Sequence, residues 1–80
     1  MALEKNQNFL DSFGLRVKEL RIQKRFSLQV LADILNIDKH QIFRIERGEI
    51  ATSIMTAYRL AEVFEISMSA LFDFEVEKPS

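Results

Sequence analysis

The stretch "SLQVLADILNIDKHQIFRIERGE", Ser27 to Glu49, decides what this chain folds into. Ser27 precedes an apolar run in which only Gln29 and Asp33 are polar, and its hydroxyl can accept a bond from an orphan backbone N–H, so a helix starts there. Asn36 tolerates the left-handed conformation that helix ends favour, so that helix stops after about eight residues. Asp38, with Gln41 three residues on, is an acidic variant of the capping box, and its carboxylate suits the positive end of a helix dipole. A further helix therefore begins after a turn of about three residues. Ile42 and Ile45 share one side of it, and Gly48 is placed to end it.

On the N-terminal side, Phe13, Val17 and Leu20 recur at helical spacing, which predicts a helix from Phe13 to about Lys24 that Leu10 could extend backwards. On the C-terminal side, Ser53 caps a fourth segment in which Ile54, Ala57, Leu60, Ala61 and Phe64 keep a helical period. Ser67 caps a short fifth, "MSALF", with Leu71 facing inward. The tail "DFEVEKPS" places Phe74 and Val76 between acids and reads either as a short extended piece or as a frayed end. Nothing earlier reads as a strand. The expectation is an all-α chain.

Eighty residues make one domain, and a chain of this length buries only about 60–65% of the surface its unfolded state exposes. Apolar residues form 48% of the sequence and charged ones 29%, an ordinary globular composition. Without cysteine there is no disulfide, no thiolate catalysis and no cysteine-based zinc site. The single histidine, His40, cannot build a metal site alone. There is no nucleophile with a base, no metal cluster and no glycine-rich phosphate loop, so neither an enzyme nor a cofactor or metal is expected. No apolar run approaches the roughly 20 residues of a membrane span, and "MALEKNQNF" has no signal-peptide core, which suggests a cytoplasmic protein.

The net charge of −1 conceals an asymmetry. From Arg16 to Arg47, eight basic residues stand against four acidic ones, while the remainder has three against eight. A basic half on a weakly acidic chain suits contact with a polyanion.

Two short helices joined by a tight turn, the second opening with polar and basic residues, form the helix-turn-helix arrangement. The pattern runs from Phe13 to Phe72, with Arg21 in "KELR", Leu31-Ala32, Ile42, "IERG" at Ile45 to Gly48, and Leu60-Ala61 as its most telling elements. Here the chain resembles the Xre/Cro family of helix-turn-helix domains. The resemblance implies a compact five-helix, lambda-repressor-like fold over residues 12–73, with an N-terminal extension at 1–11 and a C-terminal tail at 74–80. It also implies a sequence-specific regulator of transcription, a repressor, that binds a palindromic operator in double-stranded DNA as a homodimer, with the third helix in the major groove. On the same fold, the alternative is a protein-binding adaptor, an antitoxin or an antagonist of another regulator.

Carried onto this sequence, the resemblance makes Lys39, His40 and Arg44 candidates for base edges, since a helix fits the major groove and Arg44's fork suits guanine O6 and N7. Phe43 adjoins them, and its ring either meets a thymine methyl or packs at the edge of the core. Phosphate contacts fall to Gln29, Arg47, Thr52 and Ser53, the last two at a helix N-terminus. Arg16 and Lys18 either add electrostatic reach or form a solvated face. Arg21 and Glu46 are implied to form a structural ion pair. The dimer contact is expected at Met68, Leu71, Phe72 and Phe74.

The sequence also departs from the family pattern. Leu28 stands where a glutamine is usual, which unsettles the role of Gln29. Arg25, Asn36 and Glu65 replace turn glycines and Thr52 replaces a proline, so strain or altered turns are expected. Leu15, Ile22, Val30 and Ile34 are apolar where the family is polar. They are scattered surface residues, cover for the segment around Phe9 and Leu10, or a partner surface.

Overall fold

Phe13, Val17 and Leu20 line one stripe of the first helix, and all three are buried. The computed structural model describes residues 3–76, with side chains from residue 6 onward. Residues 77–80 of the tail lie outside the described residues. The chain forms five helices, α1 (Leu3–Gln23), α2 (Leu28–Leu35), α3 (Lys39–Glu46), α4 (Ile54–Phe64) and α5 (Met68–Leu71), with no strand among the described residues.

Each helix after the first starts on a side-chain cap of the kind its sequence announces. Ser27, Ser53 and Ser67 accept from the backbone N–H three residues on, each at 3.0 Å. Asp38 departs from its expected partner: its carboxylate takes the N–H of His40 at 2.7 Å, and no side-chain bond from Gln41 closes a reciprocal box.

The turns contain the expected strain rather than escaping it. Arg25, Asn36 and Glu65 all take φ between 57° and 61°, so α1, α2 and α4 end in the same left-handed residue without a glycine. In each, the following residue, Phe26, Ile37 or Ile66, donates its N–H back over the last turn to Arg21, Ala32 or Ala61 at 3.0 Å. These three apolar side chains pack against the core. For a residue with a Cβ that conformation costs about 1–2 kcal/mol. Burial of a Phe or Ile side chain, worth about 1.5–3 kcal/mol when complete, offsets it.

The core draws on every helix. Leu31, Ala32 and Leu35 come from α2, Ile42 and Ile45 from α3, Ala57, Leu60, Ala61 and Phe64 from α4, and Leu71 from α5. Arg59 of α4 donates to the carbonyl of Leu35 and so fixes the end of α2 where the turn into α3 begins.

The first helix starts well before the expected Phe13, because α1 runs unbroken from Leu3. No proline interrupts it, and its early side chains find partners far along the chain. Gln7 donates to Asp11 Oδ1 at 2.8 Å and to the Gly48 carbonyl at 2.9 Å, and Phe9 stacks on Phe72 with ring centroids 6.3 Å apart.

Candidate nucleic-acid interface

The third helix has two sides. Ile42 and Ile45 are buried, while Lys39, His40, Phe43 and Arg44 are exposed on the other. Three structures hold that orientation. Arg21 Nε donates to Glu46 Oε2 at 2.7 Å and Nη2 to Oε1 at 3.2 Å, while Nη1 reaches the Phe26 carbonyl at 2.8 Å. These side chains are only 12% and 5% exposed, so the guanidinium fork clamps the C-terminal end of α3 to α1 in surroundings where an unpaired charge is costly. Gly14 completes the joint. A Cβ at this position in α1 would collide with the backbone carbonyls of Ile45 and Glu46, so the two helices touch through backbone at this point.

At the other end of α3, Asp38 holds the first turn. The His40 backbone N–H, and then its ring, keep the Asp38 carboxyl below the ordinary aspartate value. Two shallow grooves flank the helix. One is lined by Ser27, Leu28, Gln29, Lys39, His40 and Phe43, the other by Asp38, His40, Gln41, Arg44 and Ile50. The four base-edge candidates thus share one continuous surface, with His40 on both sides of it.

Among the phosphate candidates, Gln29 borders this surface but donates to Asp33 Oδ1 at 2.8 Å along its own helix. Leu28 packs partly against the core, which explains how α2 manages without a glutamine there. Arg47 lies with its guanidinium carbon 5.3 Å from the centre of the Phe43 ring and its Nε 2.9 Å from Glu49 Oε2. Phe43 itself is 43% exposed, so it packs under Arg47 rather than at the edge of the core. Ser53 caps α4 and donates to Thr56 Oγ1 at 3.0 Å. The Thr52 hydroxyl oxygen is buried, which leaves the backbone of that residue as what it can offer an anion.

Other expectations change in three dimensions. Leu71 is completely enclosed by its own chain and offers no surface to a second copy. Phe72 and Phe74 join Phe9 and Phe13 in a four-ring cluster, the tightest pair being Phe13 and Phe72 at 5.1 Å. Phe72 stays 38% exposed, and Met68 is half-buried. Arg16 is structural, since its Nη2 donates to the Ala70 carbonyl at the end of α5 at 2.8 Å. Leu15, Ile22, Val30 and Ile34 are all exposed. Gly14, Gln7 and Arg59 carry weight that the sequence reading missed. For Gly14, an isolated glycine inside a helical pattern was the available signal.

With this geometry in place, comparison with known proteins is decisive for the family. A helix-turn-helix family model matches residues 17–71. The chain belongs to this helix-turn-helix family. The domain is similar to an HTH-type transcriptional regulatory protein of Pyrococcus abyssi, with 38% identity over 52 residues, which is 65% of this chain and 16% of that protein. Among solved structures it is similar to the restriction-modification controller protein C.AhdI of Aeromonas hydrophila, with a TM-score of 0.74 and 32% identity over 78% of this chain and 94% of that one. The apo form of the competence regulator ComR from Streptococcus vestibularis gives a TM-score of 0.74 and 34% identity over 89% of this chain and 24% of that one. The domain spans between 16% and 25% of the length of the Pyrococcus and Thermococcus regulators it matches. No helix among the described residues is long and apolar enough to cross a membrane.

Proposed function

We propose that this chain is a sequence-specific, double-stranded-DNA-binding regulator of transcription, a repressor that binds a palindromic operator as a homodimer with α3 in the major groove. The observation that carries the reading is the exposed face of Lys39, His40, Phe43 and Arg44 on a helix whose other side is fixed by Ile42, Ile45 and the Arg21–Glu46 clamp. Direct readout needs donors and acceptors held at a fixed angle to the groove, and a rigid helix supplies that angle. Relatives named as transcriptional regulators, and a controller protein of the same fold, support the same class of function.

Dimerisation follows from size. One module of this kind covers about 600–1,000 Å² on DNA, and two-fold pairs gain affinity by reading half-sites about 34–36 Å apart. Met68, Phe72 and Phe74 are the residues we assign to the contact between copies. The protein-binding adaptor is the second reading, favoured by the exposed Leu15, Ile22, Val30 and Ile34.

Selection of bound fragments from a random DNA pool, followed by footprinting, tests the proposal. One enriched palindrome with two protected half-sites is the expected result. Arg44→Ala should then weaken the selected site by about 1–3 kcal/mol and relax preference at one base pair. An equal loss on every sequence makes Arg44 a phosphate contact. No enrichment, together with a salt-insensitive complex with a protein, moves the assignment to the adaptor.

A further inference from the structure

His40 is the second residue of α3, exposed, and lines both grooves beside the helix. Its backbone N–H donates to Asp38 Oδ1 at 2.7 Å, and its ring Nδ1 lies 2.9 Å from the same oxygen. A carboxylate offers only lone pairs. The proton of the ring contact therefore sits on Nδ1, and a neutral imidazole with its proton there has an unshared pair on Nε2. These same contacts hold the Asp38 carboxyl below its ordinary value, so it remains an acceptor at neutral pH.

The charged groups around the ring are Asp38, Lys39 and Arg44 on its own segment and Arg21 from α1, which is engaged by Glu46. From α2 it meets Ser27, Leu28 and Gln29, and from the following loop Ile50, none of them charged. Lys39 and Arg44 bring donors only, which suit guanine O6 and N7. An acceptor on the same surface has a different complement, the exocyclic amino group of adenine or cytosine.

We infer that neutral His40, fixed in its Nδ1–H tautomer by Asp38, is a specificity-determining residue whose Nε2 accepts a hydrogen bond from a base amino group, adenine N6 or cytosine N4, in the major groove. This rests on the DNA-binding reading above. Asp38 is a positioning residue: it sets which ring nitrogen faces the base with a lone pair.

The test replaces single bases in the selected duplex at pH 8. Purine in place of adenine deletes the N6 amino group, and pyrimidin-2-one in place of cytosine deletes the N4 amino group, so the two sources are read separately. Wild-type protein should lose about three- to tenfold in affinity at one position of each half-site, the worth of one hydrogen bond. His40→Ala should lose nothing further at that position. Asp38→Asn should also lose its sensitivity there, because an amide can donate to the ring as well as accept from it. Asparagine caps helices as well as aspartate does, and circular dichroism of the variant checks that α3 persists.

If deleting the amino group costs the wild type nothing at every position, or costs His40→Ala as much as the wild type, the inference is overturned. Full retention of the sensitivity by Asp38→Asn overturns the tautomer lock. The same holds if His40→Ala instead abolishes sensitivity to 7-deazaguanine, which would make His40 a donor. In each of these cases the regulator reading still stands, provided Arg44→Ala weakens the selected site. If no duplex is selected at all, that reading fails and takes this inference with it.

Discussion

Helices α2 and α3 each contain eight residues and each begin on a side-chain cap, yet they are held in the molecule in different ways. Helix α2 buries Leu31, Ala32 and Leu35 and is fastened mainly by apolar area, with Arg59 donating to its last carbonyl, that of Leu35. Helix α3 buries only Ile42 and Ile45, and depends on the Arg21–Glu46 clamp and the backbone contact at Gly14. A supporting helix can rely on non-directional burial. A helix that must present a polar face at a set angle needs directional ties, and α3 has them at both ends.

The largest effect should come from removing one half of the clamp. Arg21→Ala leaves the Glu46 carboxylate, 5% exposed, without its partner, and unfolding in urea should show a loss of about 3–5 kcal/mol. If the loss is below 1 kcal/mol, the clamp does not hold α3 and the contrast with α2 disappears. Next, Gly14→Ala should cost about 1–3 kcal/mol of stability, since the new methyl meets backbone carbonyls that cannot rotate away. An alanine in a helix interior is otherwise favourable by up to about 1 kcal/mol, so even the sign of the result sharpens the comparison.

Smaller effects separate the two caps. Ser27→Ala should cost about 1 kcal/mol and Asp38→Ala should also destabilise, but only the second should loosen the first turn of α3, visible as faster amide exchange at His40 and Gln41. Acid should discriminate them further. Asp38 has a lowered carboxyl pKa in the folded chain, so its contribution is complete above the ordinary aspartate value and is lost as pH falls through the lowered one. The cap of α3 should therefore weaken only in strong acid, while the Ser27 cap of α2 stays unchanged. An NMR titration of both first turns checks this, and Asp38→Asn should abolish the dependence.

The fold was largely legible because its signals are local. Apolar spacing in "FGLRVKEL" and "IMTAYRLAEVF", serine caps and the Asn36 turn each act within a few residues, and every helix after the first lies where they place it. Exposure of Lys39, His40, Phe43 and Arg44 followed from the positions of Ile42 and Ile45 on the same helix. The backward reach of α1 was not legible, because what holds it is distant: Gln7 meets a carbonyl 41 residues away, and Phe9 stacks on Phe72. Nor could the sequence show that Phe43 lies under Arg47, or that Phe72 stays partly exposed within a four-ring cluster.

By itself, then, the sequence determined which segments are helices, where each helix after the first starts and stops, and which side of α3 is polar, since periodicity and capping are properties of neighbouring residues. Only the tertiary structure decided how α3 is held, which arginines are tied to distant groups, and how close the His40 ring lies to Asp38. Those outcomes depend on distances between groups that the chain must first fold to bring together.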